Sequence, residues 1–348
     1  MALIYCDGFD DYGTGGINAV PGGFVQGTIG GVTFTNSGAR TGNAITVTAN
    51  TSFNQIANSV FLTGNPTTVF VGAAFYSAGT NPQYGITLYN GVSVLITATV
   101  NYTVNKVSIY RGTVAGTLLA NVSYTFPGGW VYLEVGATID SSNGSVNVYV
   151  NGSLIASISG VSTISGGGGL YVTNVYLSHG LGAGSAQVWI DDFYMCDNTT
   201  AYNNNVLGPI QVKTVLPNGI GSATNMSVTG VSTNYLAVNN NPEDGDTTYV
   251  SSNFAGTLDL YTQVGVGTTG YPYAVMINQI QRLDVSGSRI VAGILQINGV
   301  QYTGNIATVN STSYMQTFSV FNYNPSTLGI WTSVATVNGM QMGTKVIA

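Results

Sequence analysis

From Trp130 to Ser159 the chain alternates apolar and polar positions with the two-residue period of a β-strand. Val131, Leu133, Val135, Ala137 and Ile139 fall on one side of such a ribbon, and Trp130, Tyr132, Glu134 and Thr138 on the other. Val146, Val148 and Val150 continue the alternation beyond a turn at residues 140–144. Asn151-Gly152 tolerates positive φ at both positions. It therefore predicts a two-residue hairpin with Tyr149 opposite Leu154 and Val148 opposite Ile155. Apolar side chains on both faces belong to strands inside a pair of stacked sheets, because a wet face would be polar throughout.

The same signature, short β-branched and aromatic runs cut by Gly, Asn, Asp and Pro, recurs along the whole chain. In the first half it predicts an opening strand over residues 3–10 that runs into a Gly-rich loop, and strands near 32–35, 44–48, 68–75, 85–89, 92–100, 106–110, 170–178 and 187–196. Helical periodicity is almost absent, with residues 54–61 allowing one or two turns at most. Residues 198–205, NTTAYNNN, carry no apolar pattern and mark a boundary between a domain of residues 1–200 and one of residues 201–348. The second half has its own strands near 248–251, 256–261, 274–280, 289–297, 300–303 and 314–321. It closes with a short turn and a final strand over 331–346. Many short strands at this spacing predict sandwiches or jelly rolls, so both domains are expected to be all-β.

Charge changes the picture by its scarcity. Thirteen Asp and Glu and seven Lys and Arg among 348 residues leave a net charge of −6. So few scattered cations cannot neutralise a run of phosphates, which excludes nucleic acid as a partner. Disordered chains combine low hydrophobicity with high charge, and this chain has neither. No apolar run is long enough for a membrane-spanning helix. The start also lacks the basic and apolar regions of a secretion signal, so a bacterial or viral product made in cytosol is the simplest expectation. With few ions, 22 Tyr and three Trp, the surface suits burial against other subunits, and a homo-oligomer is expected.

Several phrases stand in a suggestive order: LIYCDGFD at 3–10, WVYLE at 130–134, VYVNG at 148–152 and IDDFY at 190–194. LGP at 207–209, TYV at 248–250, NPST at 324–327, IWT at 330–332 and QMGTK at 341–345 follow. Together they resemble a family of tailed-bacteriophage virion proteins whose first domain is a concanavalin-A-like jelly roll. The resemblance spans nearly the whole chain. It implies a concanavalin-A-like β-sandwich followed by a second β-sandwich or jelly-roll-like domain. It also implies a non-enzymatic virion surface protein, assembled in the host cytoplasm with other capsid or tail subunits. Capsid decoration is the first placement. A tail or fibre adhesin that binds host glycans is the alternative.

In that fold the opening and closing strands of the first domain are neighbours, which would gather Asp7, Asp10, Asp11, Asp191, Asp192 and Asp197. Such a cluster repels itself at low dielectric and invites Ca²⁺ through oxygen ligands. The other reading is carboxylates hydrogen-bonded at turns and strand ends, with no cofactor. The same pairing would bring Cys6 near Cys196, as a disulfide or as two separate buried thiols. Tyr84, Tyr89 and Trp130 are candidate glycan-contact or interface aromatics. Catalysis finds little support. The two glutamates, Glu134 and Glu243, fall in different domains, and His179, in a loop, has no partner for a triad or metal site.

Overall fold

A computed structural model describes residues 2–13, 15–16, 25–26, 32–48, 54–58, 62, 64–78, 83–180 and 187–348. The chain forms two compact units, Met1–Val212 and Lys213–Ala348. The division falls beyond the Asn-rich stretch at 198–205, because residues 206–212 are hydrogen-bonded onto a sheet of the first unit.

Two antiparallel sheets make the first unit. Across the nine-stranded sheet the order is Ser153–Val161, Gly144–Val150, Val131–Thr138, Thr68–Ala78, Gln187–Asp197, Ala44–Thr48, Val32–Thr35 and Gly15–Gly16. Leu3–Asp7 pairs with Gln187–Asp197 beside this path, so the opening and closing strands are neighbours as the resemblance implies. The seven-stranded sheet runs Thr117–Ser123, Lys106–Arg111, Ser93–Asn101, Gln83–Asn90, Asn174–Gly180, Asn54–Asn58 and Val25–Gln26. Phe75 of one sheet stacks on Tyr84 of the other, with ring centroids 4.6 Å apart and planes 5° apart. Val131, Leu133, Val135, Ile86 and Val100 are fully buried around them. Each such aliphatic side chain contributes about 1.5–3 kcal/mol on burial.

The local expectations meet the ladder in instructive ways. Asn151 and Gly152 take φ of 50° and 79°, and Tyr149 pairs with Leu154. A register shift beside Tyr149 sets Val148 opposite Ala156 rather than Ile155. Asn54–Asn58, read as helical turns, is a strand paired with Asn174–Gly180, because cross-strand pairing overrides a weak local preference. Thr117–Ser123 is a strand that the sequence pattern does not mark, because it is a sheet edge with mostly exposed or half-buried residues and no clean alternation.

The second unit is built on a five-stranded antiparallel sheet, Pro217–Thr224, Leu258–Gln263, Gln341–Val346, Arg289–Ile297 and Val300–Val309. A two-stranded sheet, Val275–Gln281 with Met315–Phe321, packs on it. Ile277, Leu295, Phe321, Trp331, Val337 and Met340 share one buried cluster. Trp331 Nε1 donates to the Phe321 carbonyl at 3.1 Å, so the indole brings its polar edge into the core with a partner. The short turn expected before the last strand is a helix, Val334–Gly339, capped by Ser333, whose Oγ accepts from the Ala335 N–H. The fold class is all-β in both units.

Candidate functional site

Chemically active side chains converge on the outer face of the nine-stranded sheet. Successive residues of a strand point to opposite faces. Val131, Leu133 and Val135 fill the sandwich, so Trp130, Tyr132 and Glu134 point outward. The ladder sets Tyr132 opposite Ala74 and Glu134 opposite Gly72. On the other side of Thr68–Ala78, Trp189 stands opposite Tyr76 and Tyr194 opposite Gly72. Asp192, at φ 51°, occupies a bulge between them. Gly72 is required here, because a Cβ would lie 2.3 Å from the Tyr194 ring and 3.0 Å from the Tyr132 ring. The two tyrosines stack over this bare backbone with centroids 6.4 Å apart.

At the centre of this face the chain satisfies its own carboxyls. Asp191 Oδ2 accepts from the backbone N–H groups of Arg40 (3.0 Å) and Thr41 (3.2 Å), and its Oδ1 from that of Asp192 (2.8 Å). Asp192 Oδ2 accepts from Arg40 Nη1 at 2.5 Å, and its Oδ1 from the Val212 N–H at 2.7 Å. Arg40 Nη1 also donates to the Ile210 carbonyl at 2.7 Å, and its guanidinium lies 5.7 Å over the Tyr132 ring. Glu134 Oε1 accepts from the Tyr194 hydroxyl (2.5 Å) and the Gly208 N–H (2.8 Å). Residues 206–212 are therefore a strap across the sheet, with Leu207 N–H donating to the Tyr194 hydroxyl oxygen at 2.9 Å.

The electrostatics follow from burial. Desolvation, reinforced by Asp192, pushes the Asp191 carboxyl up to about 8. Desolvation also raises Asp192, against the lowering effects of the Val212 N–H and Arg40. Glu134 is raised by burial as well, against the lowering effect of the Tyr194 hydroxyl, and its Oε2 is buried without a partner.

The six acids are not one cluster. Asp7 is buried elsewhere, accepting from the Tyr5 hydroxyl (2.5 Å), the Tyr12 hydroxyl (2.6 Å) and the Phe9 N–H (2.8 Å). Burial, with Asp11 as the second cause, pushes its carboxyl up to about 7. Asp10 Oδ1 accepts from the Asn43 N–H at 2.9 Å, and Asp197 Oδ1 from the Thr199 N–H at 3.0 Å. Among the described residues no group of three or more His, Cys, Asp or Glu is arranged to hold a metal ion. Of the carboxylates in the Ca²⁺ reading, Asp7, Asp10, Asp191 and Asp192 each accept hydrogen bonds from the chain itself. N–H and O–H donors, with Arg40, supply the compensation a cation would bring.

The cysteines and tyrosines also move. Cys6 and Cys196 are free thiols, since the ladder sets Cys6 opposite Tyr194 and Cys196 opposite Leu3. Burial, then Asp7, pushes the Cys6 thiol up to about 12. Tyr84 is a core residue rather than a glycan contact, stacked on Phe75 with its hydroxyl 3.0 Å from that of Tyr102. Tyr89 is buried too, its ring centroid 4.3 Å from that of Tyr176. His179 lies in the strand Asn174–Gly180 rather than a loop, opposite Tyr84.

Trp130 has a different fate. Its ring centroid lies 5.8 Å from that of Tyr76, which lies 5.3 Å from that of Trp189. All three rings are half-buried. Tyr76 and Trp189 come from adjacent strands, where they pair, and Trp130 immediately precedes the next strand, whose Val131 is the partner of Phe75. Trp189 Nε1 donates to the Ser37 carbonyl at 2.8 Å, which fixes the indole. Of these three rings the sequence offers Trp130 as a glycan-contact candidate and Trp189 only as a core or interface anchor; the ladder brings Tyr76 and Trp189 beside Trp130. A row of rings followed on the same face by Gln187, two residues before Trp189 in its strand, offers a C–H-bearing ligand both dispersion contact and a hydrogen-bonding amide.

No family model and no characterised sequence relative matches the chain. Among solved structures it is similar to an endo-β-1,4-glucuronan lyase from the fungus Trichoderma reesei. That match has 16% identity and a TM-score of 0.39, covering 58% of this chain and 98% of that one. A carbohydrate-binding module, CBM66 from Bacillus subtilis, matches at 9% identity and a TM-score of 0.36, covering 51% and 97%. A carbohydrate esterase from the Shiga toxin-encoding bacteriophage phi24B matches at 15% identity and a TM-score of 0.36, covering 51% and 91%. These likenesses concern the fold alone.

Proposed function

We propose that the protein is a non-catalytic glycan-binding protein whose contact surface is the row Trp130, Tyr76 and Trp189. The observation that carries this reading is the row itself, half-buried and built across three strands, beside a centre whose charges are already satisfied. Sugar rings present C–H faces to aromatic rings and leave their hydroxyls to amides and hydroxyls at the edge. Catalysis fits poorly. Glu134 lies under the strap, and glycoside hydrolysis needs two carboxyls flanking an accessible sugar. With the virion setting implied by the sequence resemblance, this reading favours the tail or fibre adhesin for host glycans.

Capsid decoration is the second reading, favoured by one observation. In the second unit Phe254, Tyr271, Val285 and Leu328 are 76%, 80%, 74% and 71% exposed, apolar area suited to burial against other virion subunits. Affinity electrophoresis in polysaccharide-containing gels separates the two. Retardation that Tyr76→Ala abolishes supports the glycan-binding protein. No retardation in any polysaccharide, together with antibody labelling of the particle head, supports decoration. Polysaccharide cleavage that Glu134→Gln abolishes would overturn the non-catalytic reading.

A further inference from the structure

We infer that the ligand of this row is an uncharged polysaccharide, taken as a single flexible chain lying across the strands. The inference rests on the glycan-binding reading and adds the class of sugar.

Charge comes first. Met1–Val212 holds eight acidic residues and three basic ones, Arg40, Lys106 and Arg111. Lys106 and Arg111 belong to the seven-stranded sheet, where they donate to Ser123 Oγ at 2.8 Å and Thr117 Oγ1 at 3.3 Å. Arg40 is the one cation on the outer face of the nine-stranded sheet, and it is paired with Asp192 beside Asp191. A uronate or sialate carboxylate is held most strongly by a guanidinium or ammonium, and among the described residues the row's face offers none except the Arg40 already paired with Asp192. A polyanion would also approach a net-negative unit against its field.

Geometry adds the rest. The rings of Tyr76 and Trp130 are tilted by 33°, and those of Tyr76 and Trp189 by 41°. The three do not share a plane, as expected of groups carried by a twisted sheet, so a flat crystalline face cannot touch all of them. A single chain can turn from ring to ring. Neighbouring strands are about 4.8 Å apart, and the row runs across them with centroids 5.8 and 5.3 Å apart, one ring after another along the path of a chain.

The test is isothermal titration of the full chain with soluble neutral polysaccharides (laminarin, xyloglucan, galactomannan), with alginate and polygalacturonate, and pull-down on microcrystalline cellulose. At least one neutral chain should bind, unaffected by NaCl, and about tenfold more weakly to Tyr76→Ala. Trp130→Ala, which lies outside the strand, serves where Tyr76→Ala does not fold. Binding of alginate or polygalacturonate that weakens with salt and in Tyr76→Ala would overturn the uncharged ligand and leave the glycan site standing. Preference for cellulose crystals would overturn the single chain. Binding to none, or binding undiminished in both variants, removes the glycan-binding reading itself and this inference with it.

Discussion

Two ends of one sheet face make the sharpest contrast in this molecule. At the centre, Glu134, Asp191, Asp192, Tyr132 and Tyr194 are nearly inaccessible, and all of their side-chain oxygens except Glu134 Oε2 have partners, among them Arg40, backbone N–H groups and the strap at 206–212. At the end, Trp130, Tyr76 and Trp189 stay half-buried, with one hydrogen bond, Trp189 to Ser37, holding the row. The strands and the alternation are the same. The difference is in cost. Buried charges without partners are far more expensive than exposed ring faces, so the chain covers the first and leaves the second.

Breaking the centre should have the largest effect. Asp192→Ala leaves the Arg40 guanidinium and the Val212 N–H unmatched, and should destabilise the first unit by about 3 kcal/mol in urea unfolding, at the low end for a buried pair because Arg40 is partly exposed. The pH response of the same centre comes next. Asp191 and Asp7, raised from 3.8 to about 8 and about 7, hold protons in the folded state that the unfolded chain gives up. Stability should therefore fall as pH rises from about 4 to about 8 and level off above, and Asp7→Asn should flatten part of that slope in thermal melts. An unchanged melting temperature across this window would contradict the buried placement.

Gly72→Ala should cost about 1–3 kcal/mol, because its Cβ meets the Tyr194 and Tyr132 rings. The near-ultraviolet spectrum should report the displaced tyrosines. The smallest effect on stability belongs to the open end. Trp130→Ala should lower it by no more than about 1 kcal/mol while weakening polysaccharide binding about tenfold. A variant that loses stability and binding together would erase the distinction between the two ends.

Much of this was legible in single residues. The alternation over 131–139 names the inward residues, and Asn151-Gly152 names its turn, because both depend on near neighbours. The strap could not be read, because residues 206–212 carry no periodic signal and are held by side chains from distant strands. Nor could the separation of Asp7 from Asp191 and Asp192, since neighbouring strands bring backbones together while side chains can still point into different layers.

The sequence alone determined that this protein is built of sheets and nearly free of charge, because composition and a two-residue period are local properties. Tertiary structure decided which rings meet, which acids are silenced and which surface stays open. Those outcomes depend on strand order and register, and a ladder joining Trp130, Tyr76 and Trp189 leaves no mark on the chain until the strands lie side by side.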